Sequence, residues 1–433
     1  MKEAFLVTGV RTPFAKAGTE LKDVHATELG RHALSELIAR LNVPTQELGR
    51  IVDEVIIGNT GSPADSANVS RVVALRAGLP ESISAYTVQR NCASALEALS
   101  QATLKVKSGE ADIVFAGGTE SMSQMPLMYN SKATKFFEKL SRARSLGERL
   151  QVFKDIPIPE FLKPRIAVME GLTDPFYSIN MGQTAEILAK EFHISRKEQD
   201  EFALWSHRKA IKAIDEKRLG DEIAAYSIPP KFEKNLDHDS GPRKEQSLEA
   251  LAKLKPFFDK KFGSITAGNS CPITDGAVMV CVASEEGLRK LGQPQALARI
   301  SGYAFAGLDP RRMGLGPVFA TQKLLKKTHD RLEDFDVIEL NEAFAAQVIA
   351  CLKAFDSDKF CQEHFGESRL GAINPQNLNP NGGAIAIGHP VGATGARIVL
   401  TAALELKRRG GKKALASLCI GGGQGGSLSL ESV

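Results

Sequence analysis

A thiol and an imidazole, two side chains suited to nucleophilic catalysis, precede two similar stretches of the sequence. After Cys92, small and apolar residues recur at helical spacing and lead through lysines to Gly109. His389 lies in NGGAIAIGHPVGATGAR, and residues 393–409 also have helical spacing and end in basic residues before glycine. At the beginning of a helix the pKa of a thiol is lowered, and an imidazole can stay neutral as a base. Each residue alone is more often structural, but their matched positions favour a catalytic pair.

Three further groups follow predicted strands, where α/β proteins bind ligands. Cys419 ends a strand shortly before the glycine run that begins at Gly421, although considered alone it could equally be a structural cysteine of a core strand. This run, GGGQGG, fits the dinucleotide motif formally, but the alternating SLSLES follows it instead of a helix. We therefore interpret these glycines as exposing N–H groups to a substrate oxygen. Asn341 could bind a water or a substrate carbonyl, or it could cap a helix. Glu342 could be a catalytic acid, but it is predicted to be a first-turn glutamate that favours the helix dipole.

Strand and helix patterns alternate along most of the chain. Predicted strands cover residues 4–10, 52–58, 84–88, 112–116, 277–283, 299–305, 335–341 and 414–420. Predicted helices cover residues 26–41, 67–77 and 182–192, in addition to those after the cysteine and the histidine. This alternation predicts an α/β sandwich.

The C-terminal part repeats the order of elements of the N-terminal part, although the likeness of individual residues is faint. FDVIELN at 335–341 resembles VDEVIIGN at 52–59 in spacing and character. We predict an N-terminal half at 1–120 that is completed by 272–294, an inserted loop domain at 121–271 that covers a cleft, and a C-terminal half at 295–433. If the halves pack about a pseudo-twofold axis, the two helix beginnings meet and the thiol reaches the imidazole.

Composition excludes several classes of protein. The net charge is +4 from 55 basic and 51 acidic residues, so nothing points to nucleic-acid binding. The six cysteines include no C-x-x-C pair, so the sequence argues against a zinc site or a disulfide framework and favours a reducing compartment. We expect no metal and a cytoplasmic location. The cysteines other than the two above are predicted to be structural: Cys271, Cys281, Cys351 and Cys361.

Four motifs together resemble the thiolase family, and the likeness covers nearly the entire chain. They are NCAS at 91–94, NEAF at 341–344, GHP at 388–390 and CIGGG at 419–423. The resemblance implies a thiolase fold, in which two similar βαβαβαββ halves form a five-layered αβαβα sandwich with an inserted loop domain. It also implies a homodimer or homotetramer.

The resemblance further implies a role for each candidate. Cys92, activated by His389, would attack the 3-keto carbon of a 3-ketoacyl-CoA and keep the shortened acyl group as a thioester. Cys419 would protonate the departing acetyl-CoA enolate. His389, with a water held by Asn341, would bind the thioester oxygen of CoA, while the N–H groups of Cys92 and Gly421 would bind the acyl oxygen.

CoA and acyl-CoA would be substrates, and no cofactor is expected. By the same resemblance, Arg243 would lie near the nucleotide end of CoA. The residues expected along the pantetheine are Met181, Leu254, Phe258, Ala267 and Phe344. The chain departs from the family pattern at two places, with Asn180 where thiolases often have His and Cys271 where they often have Ser.

Parts of the insert resemble β-subunits of fatty-acid oxidation complexes, which implies fatty-acid β-oxidation and a hydratase-dehydrogenase α-subunit as a partner. Asn341 and CIGGG instead resemble short-chain acetyl-transferring thiolases, so acetyl-CoA acetyltransferase activity in the condensation direction is an alternative. A non-catalytic CoA-binding or scaffold subunit is an alternative of another class.

The basic stretch 132–154 is predicted to place its apolar residues on one helical face, and three functions are compatible with it. It could bind a membrane surface, bind an α-subunit, or form a solvated cap over the acyl tunnel. The apolar residues of that face are Phe136, Leu140, Ala143, Leu146, Leu150 and Phe153.

Overall fold

The computed structural model describes residues 2–433. Up to residue 121 its strands are β1 (Phe5–Arg11), β2 (Ala15–Lys16), β3 (Glu54–Gly58), β4 (Ser84–Val88) and β5 (Ile113–Ser121). The helices of this part are α1 (Ala26–Leu41), α2 (Thr45–Ile51), α3 (Val69–Arg76) and α4 (Ser94–Ser108).

The segment that follows contains mostly helices and very short strands. Its strands are β6 (Leu127–Met128), β7 (Arg165–Ile166), β8 (Thr173–Asp174), β9 (Ile179–Asn180), β10 (Tyr226–Ser227) and β11 (Asn235–Leu236). Its helices are α5 (Ser131–Arg142), α6 (Leu146–Lys154), α7 (Ile158–Phe161), α8 (Ala167–Gly171), α9 (Met181–Glu191), α10 (Arg196–Asp215) and α11 (Leu248–Ala252).

The remaining chain returns to long strands and packed helices. Its strands are β12 (Thr274–Ala283), β13 (Ala298–Gly307), β14 (Val337–Leu340), β15 (Lys413–Ile420) and β16 (Gln424–Glu431). Its helices are α12 (Glu285–Lys290), α13 (Gly316–Thr328), α14 (Ala345–Phe355), α15 (Asp358–Phe365), α16 (Ala384–Ile387) and α17 (Thr394–Arg409).

The long strands form one mixed sheet in the order β14-β15-β16-β13-β1-β12-β5-β3-β4. Its two halves are joined only where β1 meets β13, through the pairs Phe5↔Arg299 and Leu6↔Ala298. Within each half, parallel strands lie at the outer end, and antiparallel strands lie toward the junction. The repeated order of elements is therefore expressed as two sheet halves of similar plan.

Five layers result from the way in which the apolar faces are buried. Helices α4 and α17 lie between the two halves of the sheet in one core. Helices α1 and α3 cover the other face of the N-terminal half, and α13 and α14 cover the other face of the C-terminal half. This is the α/β sandwich that the alternation of strands and helices predicts. At the centre, a Cβ at Gly395 of α17 would lie 2.4 Å from the backbone nitrogen of Leu96 in α4, so glycine permits the close approach of these helices.

Several predicted elements differ from the structure. Helix α1 and strand β4 have the predicted bounds, but β5 continues to Ser121 instead of ending at residue 116. Helix α10, the longest of the described chain, was not predicted from periodicity. Its buried face consists largely of small and polar residues, including Gln199, Ser206 and His207, so the apolar pattern that marks most helices is weak there.

The prediction of one helical face across the basic stretch is wrong. The chain ends α5 at Arg142 and begins α6 at Leu146, where the side chain of Ser145 accepts a hydrogen bond from the N–H of Glu148. Phe136 is buried, whereas Leu146 and Leu150 are exposed. Among the described residues, no helix combines the length and the apolar character needed to cross a bilayer.

Candidate active site

A cavity of about 210 Å³ lies where the two halves and the inserted segment meet. Cys92, His389 and Cys419 all line it, although they are far apart in the sequence. Gly421 also lines this cavity. The structure therefore brings together the two thiols, the imidazole and the glycine run that the motifs single out. We call this the reaction cavity.

Cys92 lies in a tight turn just before α4. Asn91 has φ 44°, a value that residues other than glycine seldom adopt, and this turns the thiol toward the cavity. Burial raises the pKa of the Cys92 thiol, although N–H groups of Gly421 and of Cys92 itself point at the sulfur and oppose this effect. The expectation of a lowered pKa is therefore not met, because desolvation outweighs the helix N-terminus. Removal of the thiol proton then requires a base.

His389, which lines the same cavity, is the candidate for such a base. It lies five residues before the first residue of α17, between that helix and the short α16. The hydroxyl of Thr394 donates to the carbonyl of Pro390 (2.9 Å), and its oxygen lies 2.7 Å from Nδ1 of His389. A hydroxyl has one proton, so Thr394 accepts from Nδ1–H and leaves Nε2 as the basic nitrogen. Nε2 is buried and has no partner among the described residues.

The imidazole is neutral, as the sequence predicts, but for a different reason. Burial first, and then the positive charge of Arg397, lower the pKa of His389 to about 3. The helix N-terminus is not needed to explain this. The N–H of His389 donates to the hydroxyl of Thr274 (3.1 Å), which holds the backbone at the end of the loop.

Cys419 and Gly421 lie opposite the turn that carries Cys92. The side-chain amide of Asn91 donates to the carbonyl of Gly421 (2.9 Å). This hydrogen bond joins the turn before α4 to the glycine run that follows β15. Cys419, near the end of β15, is buried, and desolvation raises the pKa of its thiol well above the ordinary value. Its sulfur therefore carries a proton at neutral pH, which is the state required of an acid.

Asn341 follows β14 and is buried, and its N–H donates to the carbonyl of Ser417 (2.9 Å). Neither polar atom of its side chain has a partner among residues 2–433. It does not line the reaction cavity. Helix α14 begins only at Ala345, so Asn341 is not an N-cap. A buried amide that is free on both sides is suited to hold a polar group that enters from outside the chain.

A second cavity, of about 330 Å³, adjoins the first. Arg243, Phe258 and Ala267 line it, whereas Met181 and Phe344 line the reaction cavity. Leu254 lines neither cavity, although it packs close to Gly268 in the wall of the second. We call this second space the entry cavity. The residues expected along a pantetheine thus divide between two neighbouring spaces.

The loop that carries Arg243 is anchored from inside the protein. Arg11 in β1 donates to both carboxylate oxygens of Asp239 at 2.6 and 2.8 Å. Asp239 also accepts from the N–H of Phe14 (2.7 Å). The N–H of Arg243 donates to Nδ1 of His207 (3.2 Å), and burial lowers the pKa of this imidazole to about 4. These contacts fix the backbone at the mouth of the entry cavity.

Cys271, which the sequence analysis predicts to be structural, instead lines both cavities. Its N–H donates to the carbonyl of Ala343 (3.0 Å), which holds it beside the NEAF segment. Burial raises the pKa of its thiol to about 12, so it is a neutral thiol. Asn180, the other departure from the family pattern, caps α9, since its side chain accepts from the N–H of Gly182 (3.0 Å).

Sequence reasoning missed two polar residues of this region and placed a third wrongly. Glu120 accepts hydrogen bonds from two loops of the cavity wall, and Thr394 orients the imidazole. Glu342 is not in the first turn of a helix, because it lies before α14 and accepts from Ser206 (2.6 Å) and Asn379 (2.7 Å). A carboxyl at the end of a buried strand and a hydroxyl that opens the helix after the histidine were the available signals.

The arrangement can form and resolve an acyl thioester. It provides a sulfur nucleophile with a neutral base, a second protonated thiol as an acid, and N–H groups near the first sulfur. A neighbouring cavity, which has Arg243 in its wall, meets that centre at Cys271.

Comparison with known proteins agrees with this chemistry. The model of the thiolase N-terminal domain matches residues 4–286, and that of the thiolase C-terminal domain matches residues 294–432. A 3-ketoacyl-CoA thiolase of Pseudoalteromonas translucida is 38% identical over 429 residues, which are 99% of this chain and 96% of that protein.

Two solved structures are similar over the whole chain. The Bacillus anthracis acetyl-CoA acetyltransferase has a TM-score of 0.85 at 38% identity, covering 100% of this chain and 99% of its own. Human mitochondrial 3-ketoacyl-CoA thiolase in complex with CoA has a TM-score of 0.85 at 35% identity, covering 100% of this chain and 98% of its own.

Proposed function

The chain belongs to the thiolase family, and from this premise we propose that it is a 3-ketoacyl-CoA thiolase of fatty-acid β-oxidation. It is an acyltransferase that cleaves 3-ketoacyl-CoA with CoA to acetyl-CoA and an acyl-CoA shortened by two carbons. The observation that carries this proposal is the single cavity lined by Cys92, His389 and Cys419 beside an entry cavity that reaches Arg243.

In the first half-reaction, Nε2 of His389 accepts the proton of Cys92 while the sulfur attacks the 3-keto carbon. The bond between the second and third carbons then breaks, and its electrons form the enolate of acetyl-CoA. Cys419 donates its proton to the terminal carbon of this enolate. The high pKa of the Cys419 thiol fits this role, because the proton is present at neutral pH.

Before the second half-reaction, the proton on Nε2 of His389 passes to the Cys419 thiolate, so that both groups are neutral again. Nε2 then takes the proton of a new CoA thiol, and the CoA sulfur attacks the acyl thioester on Cys92. The bond between the acyl carbon and the Cys92 sulfur breaks, and the proton on His389 passes to that sulfur. The N–H groups of Cys92 and Gly421 hold the acyl oxygen as negative charge develops on it. The earlier step is stabilised differently, since the thioester oxygen of the acetyl-CoA enolate accepts hydrogen bonds from His389 and from a water held by Asn341. The cycle uses only groups of this chain and CoA, and we propose that no cofactor takes part.

The experiment that tests this function measures CoA-dependent cleavage over a series of 3-ketoacyl-CoA chain lengths, from C4 to C16. Cys92→Ala should abolish cleavage at every length, because no acyl thioester can form. Cys361→Ala, which removes a buried thiol outside both cavities, is the matched control and should retain the wild-type rate. Unchanged cleavage by Cys92→Ala would instead support a non-catalytic CoA-binding subunit.

The condensation of two acetyl-CoA molecules uses the same residues in reverse, with Cys419 as the base. Asn341, CIGGG and the similarity to the Bacillus anthracis enzyme support this second activity. The ratio of the rates of acetoacetyl-CoA synthesis and acetoacetyl-CoA cleavage, together with the preferred chain length, decides between the two directions. A maximum at C4 favours the acetyltransferase.

The enzyme is further proposed to act as a homodimer or homotetramer in the cytoplasm. Strand β4 ends the sheet order and is only partly buried, so its outer edge can pair with another chain. All six cysteines are free thiols, as a reducing compartment requires. Light scattering during gel filtration distinguishes a monomer from a dimer or tetramer.

The surface formed by α5 to α7 is proposed to contact an anionic membrane. Leu146 is 76% exposed and Leu150 60% exposed, and a groove of about 690 Å³ beside them is lined by Lys132, Lys135 and other basic residues. Apolar side chains beside cationic ones are typical of surfaces that bind lipid headgroups. This surface also suits an α-subunit partner.

Co-sedimentation with vesicles that contain phosphatidylserine tests the membrane contact. Leu150→Glu should reduce the bound fraction, whereas Leu75→Glu, which alters an exposed leucine of α3, should leave it unchanged. No sedimentation of the wild type at low salt would contradict the proposal and would direct attention to a protein partner.

A further inference from the structure

Glu120, the second-last residue of β5, is a buried carboxylate, 1% exposed, beside the reaction cavity. One of its oxygens accepts from the amide of Asn59 (3.1 Å) and the N–H of Gly61 (2.9 Å). The other accepts from the N–H of Thr60 (3.0 Å), from the hydroxyl of Thr60, and from the N–H of Gly392 (2.9 Å). Five donors thus converge on a single carboxylate.

These donors come from two loops that form different walls of the reaction cavity. Thr60 and Gly61 line the cavity from the N-terminal half. Gly392 follows Val391, which lines the cavity together with His389 from the C-terminal half. The carboxylate is therefore the link between the wall beside Cys92 and the loop that carries the base.

The backbone around Glu120 is packed so closely that side chains have no room. A Cβ at Gly392 would lie 2.7 Å from a carboxylate oxygen of Glu120. A Cβ at Gly118, two residues before Glu120, would lie 2.0 Å from the carbonyl oxygen of Gly392. Glycine at both positions allows the loop at 389–392 to pack directly against β5, so this contact is part of the fold.

The neighbours of Glu120 favour its ionised form. Burial raises the pKa of this carboxyl, and the hydrogen bonds from Thr60, Gly61 and Gly392 oppose that rise without cancelling it. Four of the five donors are N–H groups, which cannot accept a proton from a neutral carboxyl. No lysine or arginine within the described residues forms an ion pair with it. The charge is held by the two loops alone.

We propose that Glu120 is a positioning residue of the thiolase reaction, whose carboxylate clamps the loop at 59–61 to the loop at 389–392 and so sets the imidazole against Cys92. This proposal rests on the proposed function. It adds a residue that touches neither substrate nor the reacting sulfur. Its negative charge also acts on the nucleophile, because it helps to keep the Cys92 thiol protonated until His389 takes the proton.

The first test is the steady-state kinetics of Glu120→Gln. The amide has one oxygen in place of two and directs its NH2 group at N–H donors, so at least two donors lose their acceptor. We expect kcat to fall by about tenfold to a hundredfold, since misplacing a catalytic group by about 1 Å has this effect. The KM for CoA should stay within about twofold, because neither clamped loop lines the entry cavity.

The second test is the pH dependence of alkylation of Cys92 by iodoacetamide, which reports the thiolate. The groups that face Cys92 are His389, Cys271, Cys419 and Glu120. Only Glu120 has its charge removed in Glu120→Gln, so the midpoint of the alkylation profile should move to lower pH. Glu120→Asp keeps the charge but shortens the reach, and it should lower kcat without this shift.

Glu405→Gln is the matched control, because Glu405 is a buried carboxylate of α17 that lies outside both cavities. It should leave kcat and the alkylation midpoint as in the wild type. If Glu120→Gln does not fold, Thr60→Val removes one of the five donors and should lower kcat by a smaller factor.

The proposed role of Glu120 is contradicted if Glu120→Gln has the wild-type kcat and an unshifted alkylation midpoint. It is also contradicted if Thr60→Val has the wild-type kcat. A fall in kcat accompanied by an equal rise in the KM for CoA also overturns it, because that pattern indicates general loss of structure. None of these results bears on the activity itself, which the loss of cleavage in Cys92→Ala tests separately.

Discussion

Replacement of Thr394 by valine isolates the contact that selects the basic nitrogen of His389. Threonine and valine have similar shapes, but valine has no oxygen for Nδ1–H, which lies 2.7 Å from the hydroxyl oxygen in the wild type. Thr394 is fully buried, so no water replaces the lost acceptor easily. The imidazole then either keeps an unpaired N–H or moves its proton to Nε2, where it can no longer act as a base.

The size of the expected fall in kcat/KM follows from these two outcomes. Leaving a buried donor unpaired costs about 1–3 kcal/mol. The shift to the wrong tautomer must cost less than this to occur, so the same range bounds the loss of the active form. Because about 1.4 kcal/mol corresponds to a tenfold change in rate, we expect kcat/KM to fall by about 5- to 150-fold.

The assay is the release of acetyl-CoA from acetoacetyl-CoA and CoA, with Cys92 alkylation as a second readout. Thr394→Ser restores the hydroxyl and should recover most of the rate. Thr401→Val is the matched control, since it removes another buried hydroxyl of α17, which donates to Glu222 (2.8 Å) away from both cavities. If Thr394→Val and Thr401→Val have the same kcat/KM, the assignment of Nε2 as the base is wrong.

Three further outcomes are expected. Cys419→Ala should lower cleavage of acetoacetyl-CoA by about 10²- to 10⁴-fold. Exchange of label between acetyl-CoA and CoA should continue, because it breaks no carbon–carbon bond. Equal loss of both reactions would contradict the assignment of Cys419 as the acid. Arg243→Gln should raise the KM for CoA with little change in kcat, and an unchanged KM would place the nucleotide elsewhere. The folded-state pKa of His389 is about 3, below its unfolded value, so its contribution to stability is complete above about pH 6.5 and is lost as pH falls toward 3. Between pH 8 and pH 5 the free energy of unfolding should therefore fall by about 2 kcal/mol more in the wild type than in His389→Gln, as measured by urea unfolding, and equal losses would show a solvated imidazole.

The periodicity of apolar residues was sufficient to predict many of the helices and strands. The apolar spacing of residues 26–41 matches helix α1, because a face that packs on a sheet must repeat every three to four residues. The same rule misses α10, whose buried positions are small and polar. The division into two halves and an insert, and the roles of the individual site residues, stay predictions. The cavity nevertheless contains the cysteines and the histidine that the matched helix beginnings suggested.

The sequence by itself determined which reactive groups stand at the ends of strands and helices, because residue type and periodicity are local properties of the chain. Only the tertiary structure decided their chemical state. The pKa of the Cys92 thiol is raised, because burial in the assembled protein outweighs the local helix terminus. Cys271 lines the cavity, and Glu120 links two loops through hydrogen bonds to residues 60 and 272 positions away. Desolvation and hydrogen bonding depend on residues that are neighbours only in space, and the local sequence does not indicate which residues these are.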